Sequence, residues 1–262
     1  MPAQQNTAPA YDWQAHQKMK IDTVNAMVGD LTEVDCPKCK NKGYVAADRE
    51  GYLTIVECDC MRIRKCVRKM EASGLKHIIT DSTFDAFQTE QPWQETVKAG
   101  AMAFAEKPEG WFLLCGQSGA GKTHLCTAIC RELLHKGMAV RYMPWREEIG
   151  KLKAMSLEHE GRSSLLEELK NAQVLYIDDL FKSGTEYEGA MPTGADGSLA
   201  FEILNYRDHN RLVTILSTEK LPEELMDIDA AIGGRILCRS SSNCYVIEKN
   251  REKNFRLRHL PV

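Results

Sequence analysis

The octet Gly116-Gln117-Ser118-Gly119-Ala120-Gly121-Lys122-Thr123 constrains this chain more than any other feature. It fits the pattern GxxxxGK[ST], and both flanks are those the pattern needs. An apolar run, Trp111–Cys115, precedes it and an amphipathic stretch, Lys122–Lys136, follows. A strand that turns into a helix through glycines aims backbone N–H groups at an anion, and the positive helix end adds to that field. Lys122 then meets the β and γ phosphates of a nucleotide, and the Thr123 hydroxyl is placed for Mg2+. A chance glycine-rich turn does not come with both flanks in place. The octet therefore predicts an ATP and Mg2+ site.

A second element supplies the acids. Val174-Leu175-Tyr176-Ile177 is a buried strand, and Asp178 and Asp179 emerge at its C-terminal end, where ligands sit in open α/β sheets. Asp178 is expected to hold the metal through water, and Asp179 to polarise the attacking water. A solvated acidic turn would not sit at the end of an apolar strand. Asp179 reaches less far than a glutamate, so slow hydrolysis is expected.

From about Thr83 onward, strands and helices alternate. The candidate strands are 111–115, 139–143, 174–177, 213–217 and 244–248. The candidate helices are 93–106, 122–136, 145–155, 163–171, 198–210 and 228–238. Strands separated by helices mean βαβ units and a mainly parallel, five-stranded sheet, an α/β fold. Lys182–Gly197, rich in Gly, Thr and Ser, reads as a loop.

Ahead of this domain lies a different composition. Five of the ten cysteines fall between Cys36 and Cys66. Cys36-Pro37-Lys38-Cys39 is a CxxC knuckle, Cys58-Asp59-Cys60 follows, and two short strand-like runs, 43–45 and 52–56, lie between. This predicts a zinc ribbon, with Cys36, Cys39, Cys58 and Cys60 as a tetrahedral thiolate site. A redox CxxC would need a surrounding βαβ unit, and none is present. Cys66 is a spare that stands near enough in sequence to replace Cys58 or Cys60. A helical stretch, Tyr11–Thr32, precedes the cysteines. A basic helix, Met61–Ser73, follows them, with Arg62, Arg64, Lys65, Arg68 and Lys69 either facing solvent or meeting nucleic-acid phosphate or an acidic partner. The remaining cysteines, Cys115, Cys126, Cys130, Cys238 and Cys244, read as small buried hydrophobes. Two domains result: 1–75, with the helix and zinc ribbon, and 76–262, with the nucleotide site.

Composition closes off other classes. The formal net charge of −3 excludes a globally basic nucleic-acid coat. No apolar run approaches the ~20 residues of a membrane helix. The first residues lack the apolar core of a secretory signal, so the expectation is a cytoplasmic protein with reduced thiols and no membrane partner.

The order of motifs resembles the AAA+ ATPases of the bacterial and phage replicative helicase loader type, the DnaC/DnaI/IstB-like group. The matching pieces are Gly116–Leu125, Ile177–Lys182, Phe201–Arg207, Ile215–Lys220, Asp229–Ile236 and Asn254–Arg258, with the cysteine-bearing front end similar to the loaders' zinc module. The resemblance implies an AAA+ P-loop fold without a C-terminal lid domain, and an ATPase stimulated by DNA or a partner. It implies loading of a hexameric replicative DNA helicase during replication initiation, contact with single-stranded DNA and self-association. A transposition helper ATPase is the alternative, and a nucleotide-dependent binding switch with negligible hydrolysis is another. The resemblance places Ser217 and Thr218 at the sensor I position, with Thr218 the sensor. Arg235 resembles the arginine finger that acts on a neighbour's ATP, with Arg207 next in line. Arg256 or Arg258 resembles sensor II. His124, after the P-loop threonine, is counted with the ATP-binding residues on the resemblance alone.

Overall fold

The computed structural model describes residues 12–70, 81–182 and 192–257. Arg258, the end of the basic helix from Glu71, and stretch 183–191 of the expected loop lie outside the described residues. The chain divides into two compact units, Met1–Lys65 and Cys66–Val262. The division falls inside the basic helix, earlier than the boundary at residue 75 that composition suggests.

The first unit begins with α1, Trp13–Ala26, capped by the Asp12 carboxylate on the Ala15 N–H. It continues with β1, Tyr44–Arg49, antiparallel to β2, Tyr52–Glu57. Asn25 of α1 fixes the helix to the hairpin. Its amide donates to the Ala46 carbonyl and accepts the Ala46 N–H, both at 2.9 Å. Helix α1 stops well short of Thr32, where the apolar spacing predicts its end. From Met27 the chain runs instead beside the cysteine knuckle, where the Gly29 N–H donates to the Lys40 carbonyl. A Cβ at Gly29 would lie 2.4 Å from the Asn41 carbonyl oxygen, so only glycine permits this approach. Helix α2, Cys60–Met70, leaves the second cysteine pair.

The second unit contains α3, Pro92–Glu106; β3, Trp111–Gly116; α4, Lys122–His135; β4, Val140–Pro144; and α5, Trp145–Ala154. It goes on through α6, His159–Asn171; β5, Val174–Asp178; α7, Gly194–His209; and β6, Val213–Thr218. It ends with α8, Pro222–Ile228; α9, Ala230–Arg239; β7, Cys244–Ile247; and two short 3-10 turns, Arg251–Lys253 and Phe255–Leu257. The strands form one five-stranded sheet in the order β4-β5-β6-β3-β7, every pairing parallel. Strand β3, between β6 and β7, is buried at all its residues, the pattern of a parallel strand covered on both faces.

The topology positions the site. Strands β3 and β5 carry the P-loop and the acids, and β6 lies between them. All three strands end at the same edge, so residues far apart in sequence meet there. At Gly116, φ is +104° and a Cβ would lie 1.9 Å from the Ile247 carbonyl oxygen, so β7 can approach the start of the P-loop only because the residue is glycine.

Some expectations are corrected. The expected helix from Ile228 is preceded by a separate one. Asp229 breaks the chain between α8 and α9, its carboxylate accepting the Ala231 and Ile232 N–H groups as the cap of α9. Pro222 at the first turn of α8, with Glu224 closing on the Leu221 N–H at 2.6 Å, was the legible signal for that extra helix. Cys115, Cys126 and Cys130 are buried as small hydrophobes, but Cys238 is exposed. Arg207 does not face outward as an arginine finger must. It is fully buried, with Nε on the Thr214 hydroxyl at 3.0 Å and Nη1 on the carbonyls of Lys170 and Ala172, and so neutralises the C-terminal end of α6. No described helix is long and apolar enough to cross a membrane.

Candidate nucleotide-binding site and cysteine centre

The P-loop bounds a cavity of about 420 Å3. Ser118, Gly119, Gly121, Lys122, Thr123 and His124 line it, while Gly116, Gln117 and Ala120 shape the loop behind. The Gln117 N–H is tied to the Ile247 carbonyl at 2.9 Å, and the Phe255 N–H to the Gly119 carbonyl at 2.9 Å. The loop is thus clasped by β7 and by the turn that follows it. Lys122 Nζ donates to the carbonyls of Gly116, at 2.9 Å, and Gln117, at 2.7 Å. Burial lowers the Lys122 pKa, and the charges of Glu219 and Asp179 oppose that shift.

Asp178 is the most heavily hydrogen-bonded acid of the site. Its Oδ1 accepts from Tyr176 at 2.6 Å, Ser217 at 2.5 Å and Thr123 at 3.1 Å, and its Oδ2 accepts from Tyr142 at 3.0 Å. Burial, reinforced by the Asp178 charge, raises both tyrosine pKa values, so these phenols stay protonated donors. Three donors saturate Oδ1. Oδ2 keeps room for one more donor. This donor set fits Mg2+ held through water on Asp178, with Thr123 beside it.

Asp179 and Phe181 both adopt positive φ, +55° and +62°. Such backbone persists where neighbours over-determine it. Here the clamp is the end of β6. Ser217 Oγ accepts the Asp179 N–H at 3.0 Å, the Ser217 carbonyl accepts the Leu180 N–H, and the Thr218 hydroxyl donates to the Leu180 carbonyl at 2.7 Å. Thr218 also accepts the Lys220 N–H. It is fully buried and does not line the cavity; its hydroxyl holds the acidic turn. The next residue, Glu219, lines the cavity, as does Lys182. Sequence reasoning passed over both. The available signal was the position of Glu219 one residue past a strand that ends beside the P-loop.

Two aromatic rings flank the loop. Phe87 packs against His124 and Phe255, with ring centroids 5.6 and 6.0 Å apart. His124 Nε2 donates to the Thr83 carbonyl at 2.8 Å and its ring lines the cavity. Arg256 also lines it. Arg235 does not. It lies on α9 with Nη1 on the Ala231 carbonyl at 2.8 Å, its guanidinium over the Phe201 ring at 5.0 Å, and Nε 3.8 Å from Asp208.

In the first unit, Cys36, Cys39, Cys58 and Cys60 are buried with all four Sγ atoms within 4.8 Å of one another. The Cys36–Cys58 and Cys39–Cys60 separations are 3.8 and 3.6 Å. A tetrahedron with zinc–sulfur bonds of about 2.3 Å has sulfur–sulfur edges of about 3.8 Å, so donor type and spacing fit zinc. Cys66 is not part of this group. The basic helix turns one of its cations inward. Arg64 is fully buried, with Nη1 on Glu33 at 2.9 Å and Nη2 on Asn41 Oδ1, which also accepts the Cys36 N–H. Lys65 pairs with Glu57 at 2.8 Å. Arg64 thus braces the cysteine loop and is not available to nucleic acid. We expect about one zinc per chain in protein purified without chelator, by elemental analysis, from four thiolates at one site. Cys39→Ser should release it and unfold the first unit, because a site this small contributes its binding energy to folding.

The family model for IstB-like ATP binding proteins matches residues 39–260. The chain belongs to that family. It is similar to the phage-like element PBSX protein XkdC of Bacillus subtilis, 32% identical over 231 residues covering 84% of each chain. It is also similar to the replicative helicase loader DnaC of Escherichia coli, 26% identical over 68% of this chain and 70% of the other. The crystal structure of the DnaC helicase loader superposes with a TM-score of 0.54 at 19% identity, covering 66% of this chain and 98% of that one. The fold is therefore the AAA+ α/β fold, and the family binds ATP.

Proposed function

We propose that this chain is an ATP-dependent loader of a hexameric replicative DNA helicase, acting with single-stranded DNA and neighbouring copies of itself during replication initiation. The observation that carries this reading is the joining, in one chain, of a four-thiol module to a P-loop domain whose likeness to a helicase loader extends over 68% of the length. In this reading the triphosphate follows residues 116–123, where Lys122 leaves the loop carbonyls for the β and γ phosphates. Thr123 and Asp178 hold Mg2+, which neutralises phosphate charge when bound. Asp179 polarises the attacking water, and Arg256 adds a cation from the same subunit. The remaining face of the γ-phosphate is served by Arg235 of a neighbour. Hydrolysis then works as a release switch.

The test is co-elution. Full-length protein is mixed with purified hexameric replicative helicases from candidate hosts, with and without ATP, and passed over a sizing column. A stable complex with one helicase that changes with nucleotide is the expected result. Binding to a transposase and to no helicase assigns the chain to transposition instead, the reading the IstB-like family model also accommodates.

A further inference from the structure

Beside Asp179, the wall of the nucleotide cavity carries a second carboxylate and a lysine between the two. Lys182 Nζ lies 2.7 Å from Asp179 Oδ2 and 3.4 Å from Glu219 Oε1. All three side chains line the cavity together with Lys122 and Thr123. We propose that Lys182 is a positioning residue that restrains Asp179 within its own subunit, and that Glu219 is the alternative anchor that draws Lys182 away. This rests on the reading of Asp179 as the group that polarises the attacking water.

The backbone makes the restraint a built feature. The left-handed φ of Asp179, pinned by Ser217 and Thr218, fixes the direction in which its short side chain leaves the turn. The Lys182 N–H donates to the Asp179 carbonyl at 2.9 Å, closing a turn that sets the two side chains side by side. The start of the side chain is therefore fixed, and one of the carboxylate oxygens is engaged by an ammonium. A carboxylate engaged in this way draws less strongly on a water proton.

The lysine, by contrast, can move. Its side chain is 45% exposed and has four rotatable carbons. The two contacts, 2.7 and 3.4 Å, differ by less than such a side chain sweeps in one rotamer change. Glu219 is held as an anion on the same wall. Burial works against its charge, but contact with Ser118 and the charges of Lys182 and Lys122 outweigh it and lower its pKa. Burial likewise opposes the charge on Lys182, while its hydrogen bond to Asp179 and the charges of Asp179 and Glu219 raise its pKa. Because Ser118 belongs to the P-loop, Glu219 also ties the position of Lys182 to the loop that meets phosphate. Partly exposed ion pairs are weak, so exchange of Lys182 between the two acids is easy and the restraint is modest, about fivefold in rate.

The experiment uses the full chain and separates binding from turnover. Equilibrium affinity is measured with a fluorescent ATP analogue, and kcat and KM with ATP and Mg2+, for wild type, Lys182→Met, Lys182→Arg, Glu219→Gln and the double variant Lys182→Met/Glu219→Gln. Lys182→Met should raise kcat about fivefold with ATP affinity within twofold of wild type. Lys182→Arg, which keeps the cation, should hold kcat at the slow value. Glu219→Gln leaves Lys182 wholly on Asp179 and should lower kcat about threefold. The double variant should match Lys182→Met, since the anchor has nothing left to draw off. A kcat for Lys182→Met at or below wild type overturns the proposal. So does a double variant that falls below Lys182→Met as far as Glu219→Gln falls below wild type, because Glu219 then acts independently. A wild type that fails to bind ATP in the titration overturns the nucleotide-site reading and this proposal with it, and that failure is read from affinity, not from kcat.

Discussion

Lys122→Ala lowers ATP affinity by about 100-fold or more, read as the loss of saturable binding of a fluorescent ATP analogue. Truncating one partner of a buried, hydrogen-bonded charge pair costs about 3 kcal/mol, and every 1.4 kcal/mol is tenfold. Lys122 is only 6% exposed, and its ammonium has no acid within salt-bridge distance among the described residues; its hydrogen bonds go to two loop carbonyls. It sits at the mouth of α4, where backbone N–H groups and the helix dipole already favour an anion. In the proposed reading, a bound triphosphate replaces these carbonyls as the stronger acceptor. The loop keeps other ties when Lys122 is truncated, since Gln117 and Gly119 are bonded to Ile247 and Phe255 through the backbone. The variant should therefore remain folded, with a cooperative thermal transition in the absence of nucleotide, at a melting temperature lowered only by the loss of the two Lys122 hydrogen bonds. An unchanged ATP affinity would refute the P-loop assignment.

Arg235→Ala leaves the affinity of a single subunit for ATP nearly intact and removes turnover in the assembled protein by about 10³-fold, the scale of other arginine fingers. Arg235 is outside its own nucleotide cavity, and it is 28% exposed on α9. Its present contacts are a half-buried carboxylate, a ring face and the Ala231 carbonyl of its own helix, and a guanidinium can exchange such partly exposed contacts for a phosphate. The decisive measurement mixes Arg235→Ala with Lys122→Ala. Mixed assemblies pair an intact P-loop from one subunit with an intact Arg235 from the next, so activity should return although each variant alone is inactive. Co-assembly without recovery removes Arg235 from the role. Arg207 does not then inherit it, because its guanidinium is committed to the end of α6.

The difference between Arg235 and Arg207 shows where sequence reading loses its grip. Both are arginines near helix ends, and nothing in the local pattern tells a buried cap from an exposed finger. Arg207 is decided by the packing of α6 and α7 against β6, which places Thr214 and the α6 carbonyls around it. Arg64 is a similar case. A run of basic residues on one helix reads as a charged face, yet Glu33 and Asn41, some thirty and twenty residues upstream in the chain, turn one member inward. Thr218 is a subtler case. Its place at the end of a strand was legible, but whether the hydroxyl or the following side chain turns toward the cavity depends on the path of the acidic turn alongside it.

What the sequence alone determined was everything that rests on local spacing. The octet with its flanks, the apolar strand ahead of Asp178, the alternation that makes the sheet parallel and the two cysteine pairs are patterns of near neighbours, and their chemistry follows from residue type. What the tertiary structure decided depends on strand order. Because β6 lies between β3 and β5, Ser217 reaches Asp178, Thr218 holds the turn that carries Asp179, and Glu219 faces Lys182 across the cavity wall. Strand order is fixed by how buried faces pack over the whole sheet, a balance among residues scattered along the chain, so no short stretch of sequence records it.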